Sequence, residues 1–324
     1  MSRTSLTDQL VDLRRVYTGE NLSQAVPAIK AALAAFSTTD RDLVVDALRG
    51  RAALPERLSL ELLPGALSTA QLELESALLR VASDASSHLQ LRPPASMLRP
   101  AHAFRAVEPF AVPRVHLADY ALGPLLYELL PRHEGAWVAG MAGLRVVRHP
   151  RAVELRVLDE PEARVVLAGV DAAAWDVGMA YVRQLLADRD LPSVFAEGDL
   201  SEPERAHLAE HGRTPGPAVL GSALLRRIAL FARTPWLRSW SQGSQWWLEW
   251  PGGLGLVWVA DRLAHGVFGL PGVVEAPSSA GGLGLAVGSD QLFLREVDGP
   301  DPANEEALAA FDWPSGVTGW SAIL

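Results

Sequence analysis

Apolar residues recur at helical spacing through the first ninety positions of the chain. The first run of such residues is followed by a glycine, which predicts a C-terminal cap. Two more runs with the same spacing follow, and then a capping-box pair that predicts the start of a longer helix. These signals are Leu6, Leu10, Leu13, Tyr17 and Gly19; Val26, Ile29, Leu33 and Phe36; Leu43, Val44, Ala47 and Leu48; and Ser68 with Gln71. The pattern predicts a helical subdomain over residues 1–90.

Prolines interrupt the helical pattern in the next stretch. They stand at 93, 94, 100, 109 and 113, and so many cannot lie in one continuous helix. We therefore predict a Pro-rich connector over residues 91–114. Its apolar side chains, such as Phe104 and Phe110, leave open whether it is a free linker or a strap across the surface.

The period changes from helical to alternating after about residue 140. Residues 144–148, 153–158 and 163–168 alternate as short strands, and proline-bearing turns separate them, so they predict an antiparallel meander. Asp171 then predicts the N-cap of a helix that covers this sheet, and two further helices are predicted at 201–211 and 218–232. The residues from 115 to 324 are therefore expected to form an α+β domain.

Tryptophan is concentrated in one segment of that domain, within a Trp/Gly-rich β region at about 236–297. Six of the ten tryptophans lie between 236 and 258, where the only charges are Arg238 and Glu249. The sequence Pro251-Gly252-Gly253 predicts a hairpin loop between strands 246–250 and 254–260. That register would place six apolar side chains on one face, namely Trp246, Leu248, Trp250, Leu254, Leu256 and Trp258.

A short sequence echo follows the predicted hairpin. Gly-Gly-Leu-Gly-Leu at 252–256 recurs at 281–285. A duplication and two unrelated glycine turns that each lead into a strand are both compatible with one recurrence, and the second interpretation is the simpler.

Composition excludes several classes of chemistry. The chain has no cysteine, so cysteine nucleophiles, disulfides and thiolate metal sites are absent. Its single lysine, Lys30, lies in an alanine-rich helical context without a glycine-rich turn, which argues against P-loop, kinase and pyridoxal enzymes. No cofactor is expected.

Charge and hydropathy indicate a protein that acts in water. The formal net charge is −9, which opposes the phosphate field of nucleic acids and anionic membranes, so neither is an expected partner. No uninterrupted apolar run reaches the roughly 18 residues of a spanning helix. We therefore expect a cytoplasmic location.

One motif suggests metal chemistry. The residues His207-Leu208-Ala209-Glu210-His211 have the spacing with which two histidines and a glutamate bind zinc in inverted metallopeptidases. Gly212 and Pro215 end the helix at once and the flanks are polar, so we interpret the match as chance and expect no metal. Neither a nucleophile elbow nor a dinucleotide-binding glycine fingerprint occurs.

The tryptophan segment is the strongest candidate for a binding site. Six exposed indoles would form an apolar patch that soluble monomers rarely tolerate, so most of them are expected in the core. Trp247 lies on the opposite strand face from Trp246, and Trp236 or Trp240 could be a further exception. The predicted ligand-binding residues are Trp247, Glu249, Arg238 and Trp240.

Two hypotheses for function follow. The first is a binding or interaction protein that recognises a peptide, a protein or a small molecule through the Trp-rich sheet and a groove. The second is a metal-independent modifying enzyme, for example one of secondary metabolism, whose acid–base groups come from distant positions. For such an enzyme, His149, Asp171 and His207 are the candidate essential residues.

Overall fold

A computed structural model shows two five-stranded β-sheets and a set of helices that pack against them. It describes residues 5–91, 103–118, 120–135, 137–212, 216–234, 236–277 and 282–297. The fold is α+β, as the sequence predicts, and the helical N-terminal region precedes both sheets. Most of the buried apolar side chains belong to one continuous core.

The helices and strands of the described chain have the following bounds. The helices are α1 (Leu6–Thr18), α2 (Leu22–Ala35), α3 (Thr38–Leu48), α4 (Glu56–Leu62), α5 (Thr69–Leu91), α6 (Leu122–Leu129), α7 (Ala172–Asp188), α8 (Glu202–His211), α9 (Ala218–Leu225) and α10 (Leu256–Leu263), with a 3₁₀ turn at Ile228–Phe231. The strands are β1 (Phe104–Glu108), β2 (Arg114–Leu117), β3 (Arg132–Glu134), β4 (Trp137–Ala139), β5 (Leu144–His149), β6 (Ala152–Val157), β7 (Glu160–Ala168), β8 (Arg238–Gln242), β9 (Gln245–Pro251), β10 (Val273–Ala276), β11 (Leu283–Val287) and β12 (Asp290–Val297).

Local sequence signals fix the ends of the helices. Gly19 ends α1 in the left-handed conformation, with φ of 74°, and donates its N–H to the carbonyl of Arg15. Ser68 accepts the N–H of Gln71 at the start of α5, and Asp171 accepts that of Ala174 at the start of α7. These ends are where the sequence predicts them.

The first sheet has the strand order β1-β2-β7-β6-β5. Strands β5, β6 and β7 form the predicted antiparallel meander. The meander joins the β1–β2 hairpin through a parallel pairing of β2 with β7, and α6 lies in the chain between these two strands. The sheet is therefore mixed.

The second sheet repeats this topology. Its order is β8-β9-β12-β11-β10, in which a hairpin, a parallel pair and a meander follow one another as in the first sheet. Helix α10 takes the place of α6 in the chain order. The Gly-Gly-Leu-Gly-Leu echo does not mark this repeat, because residues 252–256 lead into a helix, whereas residues 282–285 lead into β11.

The hairpin predicted around Pro251-Gly252-Gly253 is wrong. Strand β9 pairs with β8 through a turn at Gly243 and Ser244, and with β12 on its other side. The chain after the glycines enters α10, because its apolar residues recur at helical spacing: Leu256, Val259, Ala260 and Leu263. Trp258 consequently lies on α10, where it is partly exposed, and not in the sheet.

The predicted connector contains regular structure. Strand β1 lies inside residues 91–114 and forms an edge of the first sheet, while residues 92–102 lie outside the described part of the chain. Helix α5, from the predicted helical subdomain, contacts β7 of the first sheet and β8 of the second. The division into domains at these positions remains a prediction.

A buried ion pair joins the two halves of the chain. Glu75 of α5 and Arg226, which follows α9, make two hydrogen bonds of 2.5 and 2.7 Å, and each side chain is at most 1% exposed. Ser222 also donates to Glu75, while Arg226 donates to the carbonyls of Pro64 and Phe110. The pair therefore connects helices α5 and α9 with the α4–α5 loop and the β1–β2 turn.

Gly221 lets α9 approach α5 closely. A Cβ atom at this position would lie 2.6 Å from Ser76 Oγ of α5 and 2.6 Å from the indole of Trp246. Both distances are too short for a methyl group, so only glycine fits here.

We predict that Glu75→Gln lowers the free energy of unfolding by about 3–5 kcal/mol, because it leaves Arg226 buried without its counter-charge. Glu249→Gln is the matched control and should cost only about 1 kcal/mol, since both arginine partners of Glu249 reach water. Denaturant unfolding of the purified variants measures both losses. If Glu75→Gln lowered the free energy of unfolding no more than Glu249→Gln does, the Glu75–Arg226 pair would not be what holds the two halves of the chain together.

We also predict that Trp246→Ala costs roughly 3–5 kcal/mol, because its indole is fully buried and donates to Ser239 Oγ at 2.9 Å. Trp247 lies on the other face and is only partly buried, so Trp247→Ala should cost roughly 1–2 kcal/mol from lost ring contacts. Denaturant midpoints compare the two variants, and equal losses would contradict the two-faced strand.

Candidate functional site

Three aromatic rings form a continuous row across the second sheet. Trp240 on β8 stacks on Trp247 of β9, with ring centres 5.8 Å apart and planes 3° from parallel. Trp247 in turn stacks on Phe293 of β12 at 5.4 Å. All three side chains are partly exposed. The row and the charged residues beside it form what we call the aromatic face.

A row of charges runs parallel to the rings. Glu249 of β9 lies between Arg238 of β8, at 3.3 Å, and Arg295 of β12, with which it forms a closer ion pair. The guanidinium of Arg238 also lies 5.0 Å from the ring centre of Trp240, a cation–π distance. The carboxylate of Glu249 therefore pairs with two arginines, one on each neighbouring strand.

Strand alternation produces the two faces of β9. Trp246, Leu248 and Trp250 point to the core and are at most 1% exposed, so the intervening Trp247 and Glu249 point the other way. Glu249 is nevertheless only 2% exposed, because the two arginines cover it. Trp236, a further candidate from the sequence, is buried in the core.

The structure brings all four predicted ligand-binding residues together. Trp247, Glu249, Arg238 and Trp240 lie side by side on β8 and β9 as two directly opposed pairs. Sequence reasoning missed Phe293 and Arg295, which the parallel pairing of β12 with β9 adds to the same face. Local patterns in the sequence carry no signal for that pairing, because the paired residues, such as Trp247 and Phe293, are far apart in the chain.

Three helices meet at a second polar cluster, which we call the histidine relay. His88 of α5 lies with Nδ1 2.7 Å from the Tyr181 hydroxyl of α7 and with Nε2 2.8 Å from Glu128 of α6. Burial opposes the charge of Glu128, but the hydrogen bond to His88 and the charges of His88 and nearby arginines lower the pKa of Glu128 overall. In the sequence His88 is one of several scattered histidines, so the cluster gave no local signal.

Asp84 lies one helical turn before His88. It retains exposed surface, yet the protein around it raises its pKa to about 6 by desolvation, and the Glu128 carboxylate contributes in the same direction. Arg238 acts on Asp84 in the opposite sense. The charges of the relay and of the aromatic face therefore influence one carboxyl group.

The remaining candidate residues do not form a shared site. His149 is exposed at the end of β5, and Asp171 uses its carboxylate to cap α7. His207 and His211 stack on each other on α8 at 5.0 Å. Within the described ranges, no three histidine or acidic side chains come together as a group that could hold a metal ion. The absence of stoichiometric zinc stays a prediction.

In the described part of the chain, no helix is both long and apolar enough to cross a membrane. A scan against models of protein families found no match, and comparisons with curated proteins and with solved structures found none either.

Proposed function

We propose that this protein is a non-catalytic binding protein that holds a short peptide, rich in aromatic and acidic side chains, on its aromatic face. The observation that carries the proposal is the stacked row of Trp240, Trp247 and Phe293 beside the charged residues Arg238, Glu249 and Arg295. The cytoplasmic location and the lack of nucleic-acid and membrane partners belong to the same proposal.

The fold itself does not require an aromatic outer face. The first sheet has the same topology, but its meander carries Glu154, Arg156 and Arg164 on the face opposite its buried Val153, Leu155 and Val157. Charged side chains therefore suffice on the outside of such a sheet. The rings of the second sheet keep exposed apolar area that folding does not demand, which favours a role in binding.

The geometry suits an extended ligand. Neighbouring strands lie about 4.8 Å apart, so a row across three strands spans roughly 10 Å and can contact several side chains of a peptide. Aromatic side chains of the ligand would stack on exposed ring surface. The partly exposed guanidinium groups of Arg238 and Arg295 could donate to carboxylates of the ligand.

Among the described residues, the histidine relay is the feature that most favours an enzyme. A carboxylate–imidazole–phenol chain can move a proton, with Glu128 orienting His88 and His88 accepting from Tyr181. Tyr181 is only 6% exposed, however, and its hydroxyl already pairs with His88. A substrate has little access to the reacting group, so we interpret the relay as a connection between α5, α6 and α7.

The proposal predicts a defined peptide preference. On an array of short peptides of random sequence, the protein should select those rich in aromatic and acidic residues. Titration calorimetry with a selected peptide should show that Trp247→Ala weakens binding at least tenfold, about 1.4 kcal/mol, as expected for a central aromatic contact. Arg238→Gln should reduce the preference for acidic residues.

Trp137→Ala is the matched control, because Trp137 is a 69% exposed tryptophan on β4, outside the second sheet. It should bind the selected peptide like the unaltered protein. The proposal fails if no peptide is selected, or if Trp247→Ala binds the selected peptide as tightly as Trp137→Ala does.

A further inference from the structure

A large cleft is lined by residues other than those of the aromatic face. It has a volume of about 910 Å³ and is bordered by α4, the α4–α5 loop, α9, the segment 264–272 and the β11–β12 turn. Pockets for small molecules commonly measure about 300–1,000 Å³. Most of its lining is leucine, valine, alanine, proline and glycine, and the exposed Leu60 and Val219 extend this apolar surface to its rim.

A buried cation lines the cleft. Arg227 is 5% exposed and donates to three backbone carbonyls: Nε to Phe268 at 2.7 Å, Nη1 to Ala223 at 2.9 Å and Nη2 to Gly269 at 2.8 Å. A guanidinium has five N–H donors, so two remain. Among the residues that the structure describes, no carboxylate forms an ion pair with Arg227.

The surroundings of Arg227 leave its charge in place. Burial and the neighbouring Arg226 lower the pKa of Arg227, but only to about 10, so it is protonated at neutral pH. Tyr17 lies near it and cannot act as a counter-ion, because burial raises the pKa of the phenol to about 12. A buried charge without a counter-charge costs free energy, which a bound anion would offset.

The other polar side chains of the cleft differ from Arg227. Arg226 is neutralised by Glu75, and Ser222 donates to the same carboxylate. His265 accepts the N–H of Val267 on Nδ1, so its neutral ring carries the proton on Nε2 as a further donor. Of the described lining residues, only Glu56 is acidic, and it lies exposed at the rim.

We propose that this cleft binds a small organic acid with an apolar body, whose carboxylate pairs with Arg227 while the body contacts the leucine and valine side chains. The ligand needs an anionic group because Arg227 is a buried cation, and it needs an apolar body because most of the lining side chains are apolar. The site is separate from the aromatic face, so each proposal can fail without the other.

Titration calorimetry with octanoate and octanol tests the proposal on the full-length protein. The two probes have the same chain length and differ in charge, so octanoate should bind and octanol should bind at least tenfold more weakly. Val219→Trp, which places a large ring at the rim of the cleft, should weaken octanoate binding at least tenfold.

Val257→Trp is the matched control, because Val257 is a 67% exposed valine on α10 that does not line the cleft. It should bind octanoate like the unaltered protein, and so should Trp247→Ala. Arg227→Met should reduce octanoate affinity to the level of octanol, with thermal unfolding recorded to confirm that the variant folds. No binding of octanoate, equal binding of the two probes, or unchanged binding by Val219→Trp would each overturn the proposal.

Discussion

The ion pair between Glu75 and Arg226 is the interaction on which the arrangement of the molecule depends. It lies where α5, from the N-terminal half, crosses α9, which precedes the second sheet, and both side chains are almost completely buried. Gln71 extends it, since its side chain donates to Glu75 and accepts the backbone N–H of Arg164 in β7. Separating the two side chains would leave each charge buried without its counter-charge, which carries a large desolvation penalty. The pair therefore holds α5, α9 and the first sheet in one relative position.

The two sheets have the same topology but differ in the side chains on their outer faces. In each, a hairpin and a meander are joined by a parallel pair, and one face packs on the shared core. The outer face of the first meander is charged, whereas that of the second sheet carries stacked rings and the triplet Arg238, Glu249 and Arg295. The difference lies in side chains that the core does not constrain, which is where binding functions can change without loss of stability.

The proposed peptide site and the proposed cleft rely on different physical effects. The aromatic face offers exposed rings and a screened charge, so its contacts with a ligand would be numerous and individually weak. The cleft offers one buried guanidinium that has no carboxylate partner among the described residues, so a single anionic group would account for most of the selectivity. A protein with both proposed sites would hold two ligands of unlike chemistry.

Sequence patterns by themselves determined helices α1, α2, α3 and α5, the caps at Gly19 and Ser68, the first meander and the opposite orientations of Trp246 and Trp247, because each depends on contacts between near neighbours in the chain. The same reasoning read residues 254–260 as a strand, since a short apolar segment is ambiguous between helix and strand. Only the tertiary structure decided that β9 lies between β8 and β12, that Phe293 and Arg295 join the aromatic face, and that the buried Arg227 lines a cleft. Those features arise from contacts between segments that are distant in the chain. Which segments pair depends on how the whole core packs, and the local spacing of residues does not reveal it.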